Sequence, residues 1–226
     1  MNADQAAQGL SVVVDGGGPA TLKIFFLMTA LSLLPAIVLS MTSFVRVVIV
    51  LSFLRTALGT PQLPPNPVLI GLSIFLSFFI MGHTIDDLNA NAIQPYLDDK
   101  IDYVEAGARA QTVMKAFMLP QTRDEDLALF FDLGNMPPPT SVADIPMRVA
   151  VPAFLVSELT TAFKMGLYLF VPLVIIDLLV ASVLMSLGMM MVPPAMVALP
   201  LKIAVFLLAD GWRLVIAALA RSFHGT

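Results

Sequence analysis

LYLFVPLVIIDLLVASVLMSLGMMMVPPAMVALPLKIAVFLLA, residues 167–209, is the stretch from which the fold class can be read. Two apolar runs, Leu167 to Leu187 and Val192 to Ala209, hold one acid, Asp177, and one base, Lys202. Each is close to the roughly 20 residues that a helix needs to cross a bilayer. They are joined by Gly188-Met189-Met190-Met191-Val192-Pro193-Pro194, where Gly and the proline pair demand a non-helical link. Irregular backbone at membrane depth survives only where protein buries it or where it lines a cavity. Three consecutive methionines in such a link are unusual, since a tight turn ordinarily uses polar residues. Two readings of them stand: filler against lipid or core, or a soft constriction formed by a ring of such loops, since methionine adapts to irregular partners.

Working outward, 58% of the 226 residues are hydrophobic and 12% are charged. Soluble domains run at about 45–50% and about 25%. With a mean hydropathy of +0.89, both a soluble globular domain and a disordered chain are excluded. No cysteine is present, which removes disulfides, thiol catalysis and cysteine-ligated metals. A net charge of -4 argues against a nucleic-acid binder, which needs a basic surface. What remains is an integral membrane protein. Two further apolar runs, Ile24 to Val45 and Val68 to Gly82, complete a set of four. Pro35, Pro152, Pro172, Pro193, Pro194 and Pro200 fall within or beside the runs and predict kinked or broken helices.

The charges set the domain organisation. Eleven acids and five bases fall between Asp86 and Arg148, a net of -6, and the rest of the chain nets +2. The expected fold is therefore all-α: kinked helical hairpins flanking an acidic, water-facing helical middle. The boundaries are a polar tail over 1–21, a first hydrophobic hairpin over 22–83, the acidic segment over 84–148 and a second hairpin over 149–226. The tail shows neither a basic start nor a cleavage site, so it reads as a mature form or leaves targeting to the first helix. For orientation, Arg46 and Arg55 favour one side while Lys23, Arg213 and Arg221 favour the other.

Within the middle segment, Ile101, Val104, Ala108, Val113, Met114, Phe117 and Met118 recur at helical spacing. Thr122 with Glu125 three residues on predicts a capping box opening a second helix, with Leu127, Phe130 and Phe131 as its apolar face and Pro137 to Pro139 as its stop. Phe117 and Phe130 pack either within the chain or on a neighbouring copy. A segment this small and this polar is marginal alone, so assembly would help it.

No catalytic motif is present, and the chain is expected to be no enzyme and to need no cofactor or metal. His83 with Asp86 and Asp87 reads as a solvated helix end rather than a metal site; His224 is far away. Glu158, Asp177, Lys202 and Asp210 are costly in apolar surroundings and should face protein, water or a partner charge. Pairing of Glu158 with Lys202, within one chain or between copies, is one expectation. A proton or ion relay is the other.

Long, specific stretches resemble the FliP family of flagellar biosynthetic proteins. They are Pro152-Ala153-Phe154-Leu155-Val156-Ser157-Glu158-Leu159 with Ala162-Phe163-Lys164-Met165-Gly166, and Ile176-Asp177-Leu178 running through Ser182 to Pro194. Met41-Thr42-Ser43-Phe44, Leu58-Gly59-Thr60-Pro61 and Phe79-Ile80-Met81 agree too, so the likeness covers about Leu22 to Phe223. The resemblance implies a pore-forming subunit of the flagellar type III protein export gate, passing unfolded flagellar subunits across the bacterial inner membrane. It further implies five copies assembled with FliR and FliQ, and contact with FlhB, in a helical pore complex within the basal body, partly exposed to the periplasmic side. On that view Met189, Met190 and Met191 line the closed constriction. The competing class is an ion-coupled small-solute transporter using Asp177 and Asp210. A third is a purely structural scaffold for other gate subunits.

Overall fold

The first apolar run does not form one helix. In the computed structural model, which describes residues 19–60, 62–137, 139, 141–189 and 191–224, α1 spans Pro19–Ser40 and α2 spans Phe44–Leu58. The break falls at Met41-Thr42-Ser43, where the Thr42 hydroxyl accepts the Phe44 N–H at 3.3 Å. Short hydroxyl side chains compete in this way with helix continuation. The chain divides into two compact units at Leu39/Ser40, and α1 belongs to the first. Most of the expected polar tail lies outside the described residues, as do Pro61, Pro138, Thr140 and Met190.

The second unit holds the remaining helices, and no strand occurs among the described residues. Helix α3, Asn66–Ile80, is followed after a 63° bend at Met81 by α4, Gly82–Leu88. A π-helical turn at Asn89–Ile93 leads into α5, Gln94–Leu97. Helix α6, Tyr103–Met118, packs back on this stretch and starts where Asp102 accepts the Glu105 N–H at 2.7 Å. Helix α7, Asp124–Leu133, has Asp124, Glu125 and Asp126 in its first turn, which suits the positive end of a helix. The expected capping box does not form. Thr122 donates to the Met118 carbonyl at 2.8 Å, turned back onto the preceding helix, and Arg123 occupies the cap position.

Helix α8, Met147–Ser186, is 40 residues long, or about 60 Å. It is the one helix among the described residues that is by itself long and apolar enough to cross a bilayer. Helix α9, Pro194–Leu208, and α10, Gly211–His224, are bent by 64° and would pass the same test only as a pair. The prolines behave unequally. Pro35, Pro152, Pro172 and Pro200 lie inside uninterrupted helices; at Pro152, Pro172 and Pro200 the loss of one backbone bond is offset by buried residues in the flanking turns. Around Pro152, for example, Ala150, Ala153 and Phe154 are fully buried. Only Pro193 and Pro194 break the chain, as cap and first residue of α9, the position proline favours.

Helix α2 is the centre of the core. Val47, Val50, Leu51, Leu54 and Leu58 form its buried stripe, against Leu69 and Ile80 of α3, Ala162 and Leu173 of α8, and Val215, Leu219 and Phe223 of α10. Gly166 lets α8 approach α2: a Cβ there would come within 2.6 Å of the Phe53 ring. Small residues at crossings serve membrane helices in this way. A satellite cluster of Phe131, Ile145, Val149 and Ala150 seats α7 on the first third of α8. Val180 and Leu184 pack on Ala198 to hold the α8–α9 hairpin.

Candidate functional site

The methionine turn is built by its glycine and prolines. Gly188 takes φ +74°, a left-handed conformation that side chains rarely tolerate. Its N–H donates to the Met185 carbonyl at 3.0 Å and that of Met189 to the Leu184 carbonyl at 2.9 Å. These two bonds are a Schellman stop, which satisfies the last carbonyls of α8. The N–H of Val192 then donates to Met189 O at 3.3 Å before Pro193 and Pro194 open α9. Met191 is 96% exposed and Met189 45% exposed, while Met190 lies outside the described residues. The turn therefore presents thioether side chains outward from the joint of two apolar helices.

Glu158 and Lys202 are both buried, yet they do not pair with each other. Glu158 accepts from Arg46 through both carboxylate oxygens, Nε to Oε2 at 2.8 Å and Nη2 to Oε1. The same guanidinium donates to Gln121 Oε1 at 3.2 Å, to the Ser222 carbonyl at 3.1 Å and to its hydroxyl at 2.9 Å. Its Cζ lies 3.7 Å from the centre of the Phe223 ring, a cation–π contact. Arg46 thus ties together α2, α8, α10 and the 3-10 turn Leu119–Gln121 that follows α6. Glu158 is matched to Arg46 as a bidentate partner, and the expected Glu158–Lys202 pair does not form because each of the two charges meets a different partner.

Lys202 donates instead to Asp177 Oδ2 at 2.6 Å and to the Ala57 carbonyl at 3.0 Å. That carbonyl belongs to the last turn of α2, the negative end of the helix. Asp177 thus meets a partner charge and water together, its side chain 41% exposed. Asp210 is 67% exposed and lies 3.7 Å from Arg213, at the bend between α9 and α10.

A third charged cluster is one that sequence reading did not single out. Asp126 is buried and accepts from Arg123 Nε and Nη2, each at 2.8 Å, and from the Ser157 hydroxyl at 2.6 Å. The Arg123 N–H donates to Ser157 Oγ at 3.0 Å, and Arg123 Nη2 to Thr160 Oγ1 at 3.2 Å. Burial pushes the Asp126 carboxyl up, but these bonds and the neighbouring charge of Arg123 outweigh it and hold the group below the usual carboxylate range. The cluster pins the acidic segment to α8.

Phe117 lies edge-on to Phe154 and stacks on Phe223, with centroids 6.0 and 6.2 Å away. Phe130 packs in the cluster that seats α7 on α8. Both aromatics therefore have partners within this chain, and both keep a partly exposed face. His83 Nε2 lies 3.5 Å from Asp87 on an exposed surface. No group of three metal-ligating side chains occurs among the described residues.

Arg46, Ser157 and Asp126 are the residues the sequence reading missed. A signal for Arg46 exists: it stands four residues before Val50, on the buried stripe of α2, where a base is out of place.

The FliP family model matches residues 27–219, which include every buried charge described above. The chain is 51% identical over 204 residues to the flagellar biosynthetic protein FliP of Bacillus subtilis (strain 168), covering 90% of this chain and 92% of that one. It is 50% identical over 212 residues to the protein of that name from Pectobacterium carotovorum subsp. carotovorum, with 93% and 82% covered. For that of Aquifex aeolicus (strain VF5), identity is 46% over 214 residues, with 94% and 90% covered. A match of this length, spanning the methionine turn and all three charge clusters, makes the chain a member of the FliP family.

Proposed function

We propose that this protein is a membrane-embedded subunit of the flagellar protein export gate, and that several copies, five by the family resemblance, join FliR and FliQ around a pore. Contact with FlhB belongs to the same proposal. The observation that carries it is the methionine turn, which exposes Met189 and Met191 at a stiff, glycine- and proline-defined joint between apolar helices. Thioether side chains are flexible and polarizable. Brought together from several copies, they would close a pore to ions and give way to an unfolded chain. Long helix α8, able to cross a bilayer, supports a place in the inner membrane.

The test is a Met189→Ala/Met190→Ala/Met191→Ala variant co-expressed with FliR and FliQ. Native mass spectrometry should show a multi-copy complex like that of the parent, and reconstituted vesicles should leak ions faster. An assembled variant with unchanged conductance overturns the seal. A chain that stays monomeric and binds neither partner overturns the gate subunit. The ion-coupled carrier gains no support from the geometry. Asp177 is already committed to Lys202, and Asp210 sits exposed at a helix bend.

A further inference from the structure

Beyond Leu173, helix α8 leaves the core. Its remaining buried residues, Val180 and Leu184, pack on Ala198 of α9, within the hairpin itself. Ala198 is one of two buried residues in α9, and the other is Lys202. The last part of α8, the methionine turn and α9 therefore form an arm that is joined inside and bare outside. Ile176 and Phe206 reach the core from this arm, and each is only partly buried.

Lys202 crosses the foot of the arm. Its ammonium donates to Asp177 Oδ2 on α8 at 2.6 Å and to the Ala57 carbonyl on α2 at 3.0 Å. That carbonyl lies in the last turn of α2, where carbonyls have no partner within the helix, and Gly59 ends the helix at φ +76°. One buried cation thus joins both legs of the arm to α2, the centre of the core. Hydrogen bonds from a charged donor are strong and directional, whereas the contacts of Ile176 and Phe206 are apolar and set no direction.

The arm also has a place to bend. Pro172 lies inside α8, next to Leu173, the last residue of that helix buried in the core. A proline there removes one backbone hydrogen bond. From Pro172 to Ser186 the helix rises about 21 Å. A swing of about 20°, where a proline kink becomes sharp, carries the methionine turn sideways by about 7 Å.

We propose that Lys202 is the positioning residue of the methionine turn. Its bonds to Asp177 and the Ala57 carbonyl fix the direction of the arm, and so the place at which Met189 and Met191 stand. Removing the ammonium leaves the fold and the turn intact but frees the arm to swing. Loss of the seal in an assembled gate is the consequence, and that step alone rests on the export-gate reading above.

The chain has no cysteine, so spin labels can be placed at Thr56→Cys and Leu187→Cys, both exposed positions. Their separation is read by double electron–electron resonance on the full-length chain in detergent. Lys202→Met should broaden the distance distribution and shift it by up to about 7 Å, the swing of the arm. Lys202→Arg, which keeps a donor for both acceptors, should restore the parent distribution. Asp177→Leu/Lys202→Met, which strands no charge, should move as Lys202→Met does. Phe131→Leu, a cavity where α7 meets α8, should lower the melting temperature and leave the distance unchanged. A parent-like distribution in both Lys202→Met variants, or the same broadening in Phe131→Leu, overturns the positioning role. In gates co-expressed with FliR and FliQ, Lys202→Met should assemble at the parent's copy number and leak ions faster with all three methionines in place. If the methionine variant leaks and Lys202→Met does not, Lys202 does not place the seal. If neither leaks while the label distance shifts, the seal fails and the positioning residue stands.

Discussion

Breaking the Arg46–Glu158 pair should cost more than any other single change in the core, and unequally by partner. Both side chains are fully enclosed, and removing one member of a buried pair costs about 3–5 kcal/mol because the other charge is stranded. Glu158→Ala leaves the guanidinium three acceptors, namely Gln121 Oε1, the Ser222 carbonyl and its hydroxyl. Arg46→Ala removes both hydrogen bonds that the Glu158 carboxylate receives from Arg46 and also the contact on Phe223. Arg46→Ala should therefore fall at the upper end of that range and Glu158→Ala at the lower. For a chain of this size, 1 kcal/mol moves the melting temperature by about 2–4 °C, so drops of about 6–20 °C are expected. Replacing both residues together, as Arg46→Met/Glu158→Leu, should cost less than Arg46→Ala alone, since no charge is left behind. Exchanging Glu158 and Lys202 should rescue nothing, because neither serves the other. The assay is thermal melting in detergent followed by far-UV circular dichroism. Singles that lose under about 1 kcal/mol, or a double that loses the sum of the two, would refute the reasoning.

Three further outcomes follow from the same geometry. Asp126 is held below its usual range, so its contribution is present above the unfolded value of about 3.9 and is lost as pH falls through the lower folded value. Melting from pH 7 to pH 3 should show Asp126→Asn less stable at neutral pH, the gap to the parent closing on the acid side; a gap independent of pH would exclude the ionised carboxylate. Gly166→Ala should lose about 1–3 kcal/mol by overpacking and recover part of it with Phe53→Leu, since the added Cβ meets that ring; full stability of the single variant would show that α2 and α8 separate freely. Asp177→Ala should destabilise more than Lys202→Met, because Lys202 is the buried member and Asp177 keeps water contact; equal melting temperatures would contradict that asymmetry.

How much of this was legible in the sequence depended on which interactions are local. Helices α6 and α7 and the methionine stop follow from periodicity and from Gly and Pro at fixed offsets, all within a few residues, although the capping box expected at Thr122 and Glu125 does not form because Thr122 turns back to the Met118 carbonyl. The larger failures were of two kinds. Pro152 and Pro172 read as breaks because a proline's cost is local and calculable, whereas the packing that outweighs it comes from α2 and α7, far away in sequence. The charges show the same thing more sharply. Glu158 and Lys202 were recognisable as costly, but their partners lie 112 residues and 25 residues away, and nothing in spacing distinguishes those from each other. Arg46 could have been found by one further step. A base on a stripe that otherwise reads Val47, Val50, Leu51, Leu54 must either be solvated at a helix end or meet a buried acid, and Glu158 is the only acid in the apolar stretch 149–176. Matching each misplaced base to the acid with the fewest ways of reaching water recovers Arg46–Glu158, and it leaves Lys202 for Asp177.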